Sequence, residues 1–218
     1  MADARRAGTG RGTRQGRAGR TSRAGQGDIP VPEHLVTVAT RLFAEKGFEN
    51  TSVQEIVAAA GFTKGALYHY YESKDDLLYE IYHRVLAMQL ERLEHFAGMA
   101  AVPVADRLRA TAVDVLETSA DRLDEMVVFF QSMHLLPPEK QAAVRAERRR
   151  YHERFRGMVV EGQRAGVFRD DVSADLVAHS FFGAVHHLGS WFHPDGPMTA
   201  GEVGEVFVDL LLGGLLAG

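Results

Sequence analysis

The amino-acid sequence predicts an all-α protein with a small helix-turn-helix unit near its N-terminus and a larger helical unit after it. Apolar residues recur at the three- and four-residue spacing of amphipathic helices from about residue 31 onward, and no alternating strand pattern of useful length interrupts them. Gly and Pro residues stand between the periodic segments, where helices are expected to end. No internal repeat is detectable.

Composition narrows the classes of protein that remain. The 218 residues include no cysteine, which excludes disulfides and thiolate metal ligands. The longest apolar run, Val206–Leu216, contains Asp209 and is shorter than the roughly 20 residues that a membrane span needs. The N-terminus has no apolar stretch of the secretory type. We therefore expect a cytoplasmic protein with no membrane partner.

Residues 1–28 differ from the rest of the chain. They carry seven arginines and two aspartates among Gly, Ala, Thr and Ser, although the net charge of the whole chain is -4. A segment with so few large apolar residues cannot offset the entropy of ordering, which predicts a disordered tail. The tail is either an extension without a function or an arm that follows DNA phosphates or the minor groove.

The predicted helix-turn-helix unit spans residues 29–75. Its first helix ends at Gly47, and Thr51 or Ser52 can cap the second, with Glu55 placed for a capping box. Gly61 breaks the second helix, and Thr63 can cap the third. Two helices joined by such a tight turn place the second of them in the major groove of DNA.

The third helix is predicted to turn its polar side outward and to bury Leu67 and Tyr71. Hydroxyl groups and lysines bind phosphate oxygens, while histidine and lysine also reach acceptors on base edges. Adjacent aromatic rings on an exposed face indicate a surface that a partner covers. The residues predicted to be exposed are Thr63, Lys64, Tyr68, His69 and Tyr70.

The segment Gly61–Leu77 resembles the helix-turn-helix signature of the TetR family of repressors, as does the upstream stretch Ala44–Ile56. Tyr70 stands where many relatives have histidine, and Tyr71 where phenylalanine is common. The resemblance implies a dimer that binds double-stranded operator DNA. It implies DNA contacts at Thr51, Ser52, Gln54, Thr63, Lys64, Gly65, Tyr68, His69, Tyr70 and Lys74.

The resemblance also implies that residues 76–218 bind a small-molecule effector and dimerise. After a long helix to about Phe96, we predict helices at roughly 103–120, 122–135, 138–165, 173–192 and 199–216. The helix 173–192 has two apolar stripes, which predicts that one packs within the subunit and the other against a second copy. We therefore expect helices 173–192 and 199–216 to form a four-helix dimer interface.

Residues that combine bulk with a polar group are the candidates for the effector pocket, because ligand sites are mostly apolar with a few placed polar groups. These candidates are Phe129, Phe130, Met133, Tyr151, His152, Phe155, Met158, His186, His187 and Trp191. Adjacent histidines point about 100° apart on a helix, and no zinc-ligand spacing accompanies them, so we predict neither a metal nor another cofactor.

The C-terminal sequence from Trp191 to Gly214 resembles that of TetR-family members that respond to acyl-CoA metabolites. The arginine-rich run Arg145–Arg156 is interpreted as a solvated helix face, with phosphate binding by one or two of its arginines as the alternative. No nucleophile elbow, Gly-rich phosphate loop or catalytic cluster is found, which argues against an enzyme. A DNA-binding regulator without a small-molecule switch stays open as the second hypothesis.

Overall fold

A computed structural model of the chain describes residues 29–216, and the tail predicted over residues 1–28 lies outside the described residues. The described part is all-α and contains no strand, as predicted. A single 3-10 turn, Met133–Leu135, follows the sixth helix. The helices are α1 Val31–Lys46, α2 Val53–Ala60, α3 Lys64–Tyr68, α4 Lys74–Ala97, α5 Val104–Ala120, α6 Leu123–Ser132, α7 Pro138–Arg164, α8 Ala174–His186, α9 Leu188–Trp191 and α10 Ala200–Gly213.

The turns between α1, α2 and α3 follow from their local chemistry. Gly47 and Gly61 have φ values of 83° and 72°, a region that L side chains rarely adopt. Ser52 and Glu55 form the predicted capping box at the start of α2. The Thr63 hydroxyl accepts a hydrogen bond from the Ala66 amide at 3.2 Å and caps α3. These caps fix the angle at which α3 leaves α2.

The predicted helix 173–192 is wrong as a single element, because α8 stops at His186. His187 adopts φ -98° and ψ 10°, and the chain re-enters helix only for the four residues of α9. The break leaves the Ala184 carbonyl accessible to the Trp191 indole, whose Nε1 donates to it at 3.3 Å. Gly183 and Gly189 flank this break, and glycine weakens helix interiors.

The prediction for the two apolar stripes of helix 173–192 also needs correction. Val177, Phe181, Phe182 and Val185 are all buried within the subunit, so both stripes belong to its own core. The outward face of α8 carries different residues, among which Leu176 is 62% exposed.

The core has two parts, and α6 contributes to the one that supports the helix-turn-helix. The C-terminal part joins α5, α7, α8 and α10 with the second half of α4. The N-terminal part joins α1, α2, α3 and the first half of α4, and it also includes Met126, Val128 and Phe129 of α6. Because α6 packs directly on α1, the packing of the helix-turn-helix depends on a helix of the C-terminal unit.

Within residues 29–216, no helix has the length and apolar character that crossing a membrane requires.

Candidate DNA-binding surface and effector cavity

The helix-turn-helix presents a polar and aromatic surface around α3. Leu67 is fully buried and Tyr71 is nearly so, as predicted, and they anchor α3 in the N-terminal core. Tyr68 and Tyr70 are 51% and 47% exposed. The remaining exposed candidates on this surface are Ser52, Gln54, Thr63, Lys64, Gly65 and His69.

Among the residues that the structure describes, Lys64 is a cation of this surface whose charge no other side chain neutralises. It lies at the start of α3 and has no ion-pair or hydrogen-bond partner among the side chains of residues 29–216. By contrast, Lys46 pairs with Glu55 at 3.1 Å, and hydrogen bonds from Ser52 and Lys46 lower the pKa of Glu55 to about 2. Lys64 can therefore neutralise a phosphate without first breaking an internal contact.

Two of the residues assigned to DNA contact through the family resemblance face the protein instead. Thr51 is 1% exposed, and its hydroxyl donates to the Gly47 carbonyl at 2.9 Å. Lys74 Nζ donates to the carbonyls of Phe48 and Thr51 at 2.7 and 2.9 Å and lies 4.2 Å from the centre of the Phe48 ring. Both side chains hold the loop between α1 and α2, which argues against their predicted role as phosphate ligands.

The second candidate site is a cavity enclosed by α4, α5, α6, α7 and α8. Half of the predicted pocket residues line it, namely Phe129, Phe130, Tyr151, His152 and His186. Residues outside the predicted pocket set complete the lining: Val85, Leu86, Gln89, Val115, Ser119, Met126, Arg148, Phe182 and Val185.

The other five predicted pocket residues do not line the cavity. Phe155 and Met158 are buried in the C-terminal core, about one and two helical turns beyond the last lining residues of α7. His187 and Trp191 are exposed at the break after α8, and Met133 packs against the N-terminal core from the 3-10 turn. The mixture of bulk and polarity therefore predicted five lining residues on α6, α7 and α8, and it was wrong for the other five.

Aromatic rings form the wall of the cavity at its α7–α8 side. The rings of His152 and Phe182 stack with centroids 4.1 Å apart and an interplanar angle of 4°. His186 packs against Phe130, with centroids 4.5 Å apart. Gln89 is satisfied by the protein itself, because its Oε1 accepts from the Tyr151 hydroxyl at 2.8 Å. The polar lining groups with hydrogen-bonding capacity left for a ligand lie on α7 and α8, namely Arg148, His152 and His186.

Arg148 is the cation of the cavity. It is half-buried, and Nη2 lies 3.0 Å from Nδ1 of His186. The solvated-face interpretation of the arginine run is wrong for Arg148, although Arg145, Arg149 and Arg150 are exposed as predicted. Arg148 precedes Tyr151 and His152 by three and four residues, so all three lie on one face of α7. This spacing is the feature of the sequence that could have indicated Arg148 as a cavity residue.

Both cavity histidines are held neutral. Burial, together with the positive charge of Arg148, lowers the pKa of His152 to about 4 and the pKa of His186 to about 3. His179 and His187 add smaller repulsions toward His152 and His186 respectively. Burial also lowers the pKa of the Arg148 guanidinium, which still stays charged at neutral pH because arginine starts from so high a value.

The cavity has a volume of about 30 Å³, close to the share of one water molecule in the liquid. Ligand sites for metabolites usually enclose a few hundred Å³. A metabolite therefore enters only if lining helices or side chains move apart. Within the described residues, no cluster of three or more His, Asp or Glu side chains is arranged to hold a metal ion.

Two family models match separate parts of the chain. Residues 35–81 match the family model for bacterial regulatory proteins of the tetR family, and residues 101–215 match that for the tetracyclin repressor-like C-terminal domain. The chain is 26% identical over 182 residues to the transcriptional repressor KstR2 of Mycobacterium tuberculosis, a match that covers 83% of this chain and 90% of the relative.

Two solved structures share the fold and part of the sequence. The TetR-family regulator PfmR of Thermus thermophilus superposes with a TM-score of 0.77 at 33% identity, covering 84% of this chain and 99% of that one. AibR, in a crystal structure with isovaleryl coenzyme A and operator DNA, superposes with a TM-score of 0.74 at 27% identity, covering 84% and 98%. The chain therefore belongs to the TetR family of bacterial transcriptional regulators.

Proposed function

We propose that the protein is a repressor that binds a palindromic operator as a homodimer and releases it when a small apolar metabolite enters the α4–α8 cavity. The observation that carries this proposal is the double role of α6. Its residues Met126 and Phe129 line the cavity and also belong to the core of the helix-turn-helix unit. A ligand that pushes α6 away from the other cavity walls displaces this shared helix.

Recognition of DNA is assigned to the exposed surface around α3. Tyr68, His69 and Tyr70 supply donors and aromatic faces, Lys64 supplies a charge, and Ser52 and Gln54 flank them from α2. Two copies of such a surface, related by a two-fold axis and about 34–36 Å apart, fit successive major grooves. This arrangement would read a palindrome.

Dimerisation is assigned to the outward faces of α8 and α10. The Phe181 ring of α8 and the Phe207 ring of α10 have centroids 5.9 Å apart, and α10 packs mainly against α5. Leu176 on α8, and Val206 and Leu210 on α10, are 62%, 51% and 74% exposed in the isolated subunit. A second copy that packs on this face would bury them in a four-helix arrangement.

Transmission from the cavity to DNA is assigned to α4 and α6 together. Tyr82 of α4 is fully buried, and its hydroxyl donates to the carbonyls of Val128 and Phe129 at 3.0 and 2.8 Å. Lys74, at the start of α4, holds the loop before α2. A movement of either helix therefore reaches the DNA-binding surface. The effector shifts the equilibrium only by the difference between its affinities for the two states.

The effector is assigned to small, largely apolar metabolites, because most of the cavity lining is aliphatic or aromatic. The likeness to AibR, solved with isovaleryl coenzyme A, favours an acyl-CoA as the alternative form of such a ligand. In that case the acyl group would occupy the cavity and the nucleotide would lie outside it.

A regulator without a small-molecule switch is the second candidate function. The cavity volume of about 30 Å³ favours it, since the sites that hold metabolites usually enclose a few hundred Å³.

The experiment that tests the proposal begins with selection of genomic DNA fragments bound by the protein, followed by affinity measurements on the best site. We expect a palindrome whose affinity is lost in Tyr68→Ala and kept in Arg149→Ala, a variant at an exposed position of α7. Metabolites from the pathways of neighbouring genes should then release the wild-type protein. Sequence-independent binding that survives Tyr68→Ala would refute the assignment of the reading surface.

A thermal-shift assay shows the concentration at which a metabolite saturates the protein. If no metabolite changes operator affinity at its saturating concentration, the switch is absent. That result would select the second candidate function and leave DNA recognition intact.

A further inference from the structure

We infer that the effector is a small carboxylic acid whose carboxylate binds Arg148 inside the cavity while its apolar body lies against the rings of Phe129, Phe130 and Phe182. This inference rests on the proposed effector-controlled function and specifies the chemical class of the ligand. It follows from three features of the cavity: an uncompensated cation, flanking donors, and a lining that is otherwise apolar.

The cation is uncompensated within the described residues. Arg148 is half-buried between α7 and α8, and none of the ion pairs of residues 29–216 includes it. The other half-buried arginines of α7 differ in this respect, since Arg154 pairs with Glu94 at 2.8 Å and Arg156 pairs with Asp175 at 2.8 Å. Burying a charge without a partner is costly, and an anionic group on the ligand would remove that cost.

The available donors match a carboxylate. A guanidinium offers five N–H groups in a planar fork, and in the structure the recorded hydrogen bonds of Arg148 go to the His186 ring alone. A carboxylate that replaces this contact would receive two parallel hydrogen bonds from Arg148. It would also free the His186 ring to donate a hydrogen bond, with the His152 imidazole beside it at a centroid distance of 5.8 Å.

The count of charges separates a carboxylate from the phosphates of coenzyme A. Arg148 is the one lysine or arginine among the lining residues that the structure describes, and the two lining histidines are neutral. One cation balances one negative charge, whereas the pyrophosphate of a coenzyme A carries several. The acyl end of a thioester is neutral and would leave Arg148 without an anion.

The rest of the lining sets the nature of the body. Val85, Leu86, Met126 and Val185 are aliphatic or thioether side chains, and the stacked aromatic wall lies beside Arg148. Apolar surface transferred here from water contributes roughly 25 cal/mol per Å². A compact aromatic, cyclic or branched acid satisfies both ends of the cavity.

The test uses a panel of small aromatic, cyclic and branched carboxylic acids, each with its primary amide and its coenzyme A thioester. Binding to the full-length protein is measured by thermal shift and by calorimetry, and release of the operator fragment is followed in parallel. We expect at least one acid to bind at least about tenfold more tightly than its amide and its thioester, and to release the operator.

Variants at two positions of α7 locate the carboxylate. Arg148→Met keeps the length of the side chain without its charge, and we expect it to lose at least about tenfold in acid affinity while it still binds the operator. Arg149→Met, the exposed neighbour, should bind the acid as the wild type does. Arg148→Lys retains a cation and should bind the acid more tightly than Arg148→Met. If Arg148→Met is poorly folded, the readout is Arg148→Lys against the wild type, where we expect weaker acid binding because an ammonium cannot form the two parallel hydrogen bonds of a guanidinium.

Three results would overturn the inference: an amide or thioester that binds as tightly as its acid, a panel in which no acid binds, or acid affinity that is unchanged in Arg148→Met. A thioester that releases the operator from wild type and Arg148→Met alike would sink the carboxylate assignment alone. In that case the effector-controlled repressor would stand. Failure of the wild-type protein to select an operator would instead refute the proposed function.

Discussion

Replacing Lys74 with methionine should lower the stability of the protein without removing a phosphate contact. Replacing Lys64 with methionine should remove a phosphate contact without lowering stability. Lys74 Nζ donates to two backbone carbonyls, those of Phe48 and Thr51, and lies over the Phe48 ring. Hydrogen bonds from a charged donor contribute about 1.5–3 kcal/mol, and an exposed cation–π contact adds about 0.5–1 kcal/mol. Because Lys74 is half-buried and methionine retains its aliphatic packing, we expect a loss of about 2 kcal/mol per subunit.

Lys64 gives the matched comparison, because it is exposed and makes no such contacts. Each phosphate contact contributes about 0.9 to the slope of log Kobs against log salt concentration, so Lys64→Met should reduce the slope by about 1.8 per dimer. Urea unfolding at fixed protein concentration and salt-dependent operator binding measure the two effects. If Lys74→Met kept its unfolding midpoint and flattened the salt dependence by that amount, our account of Lys74 would be refuted.

Three further predictions concern packing, pH and assembly. Gly162→Ala places a Cβ in the Phe168 ring and should cost about 1–3 kcal/mol in urea unfolding, while Gly157→Ala, in open space on the same helix, should gain about 0.5–1 kcal/mol; equal effects would contradict the packing. The pKa values of His152 and His186 are depressed on folding to about 4 and about 3, so their contribution is full above about pH 6.5 and is lost as the pH falls. At about pH 5.5, each of these two histidines should lower the free energy of unfolding by about 1 kcal/mol relative to its value at neutral pH. A double His→Gln variant that loses as much stability as the wild type over the same pH change would disprove this. Leu210→Asp should give a folded monomer in analytical ultracentrifugation, since the side chain is 74% exposed in the subunit, and a dimer that persists would exclude this face.

The sequence predicted most of the helix-turn-helix because its determinants are local. Gly61, Ser52 and Thr63 act through φ preference and hydrogen bonds to amides two or three residues away, which a single sequence displays. The same holds for the burial of Leu67 and Tyr71, which follows from helical periodicity.

The cavity could not be predicted in the same detail, because the residues that line it depend on how helices distant in sequence pack against one another. Phe155 and His152 are both plausible pocket residues on α7, yet Phe155 stacks on Phe181 in the core, while His152 faces the cavity. The direction of Lys74 was also beyond reach, since its acceptors are backbone carbonyls more than 20 positions away in the chain. The break after His186 was not predicted because the apolar spacing of the sequence continues through it to Phe192.

Phe129 belongs both to the cavity lining and to the N-terminal core, and this limits how the sequences of proteins with this architecture can diverge. Its ring lines the cavity, and its side chain is also part of the core beneath the DNA-binding helices. A substitution there that admits a larger ligand would also alter the resting affinity for DNA, so ligand preference and basal repression cannot be adjusted independently at this position. Arg148 and Phe182 line the cavity from outside that core, so changes of ligand preference that leave repression intact should accumulate on α7 and α8.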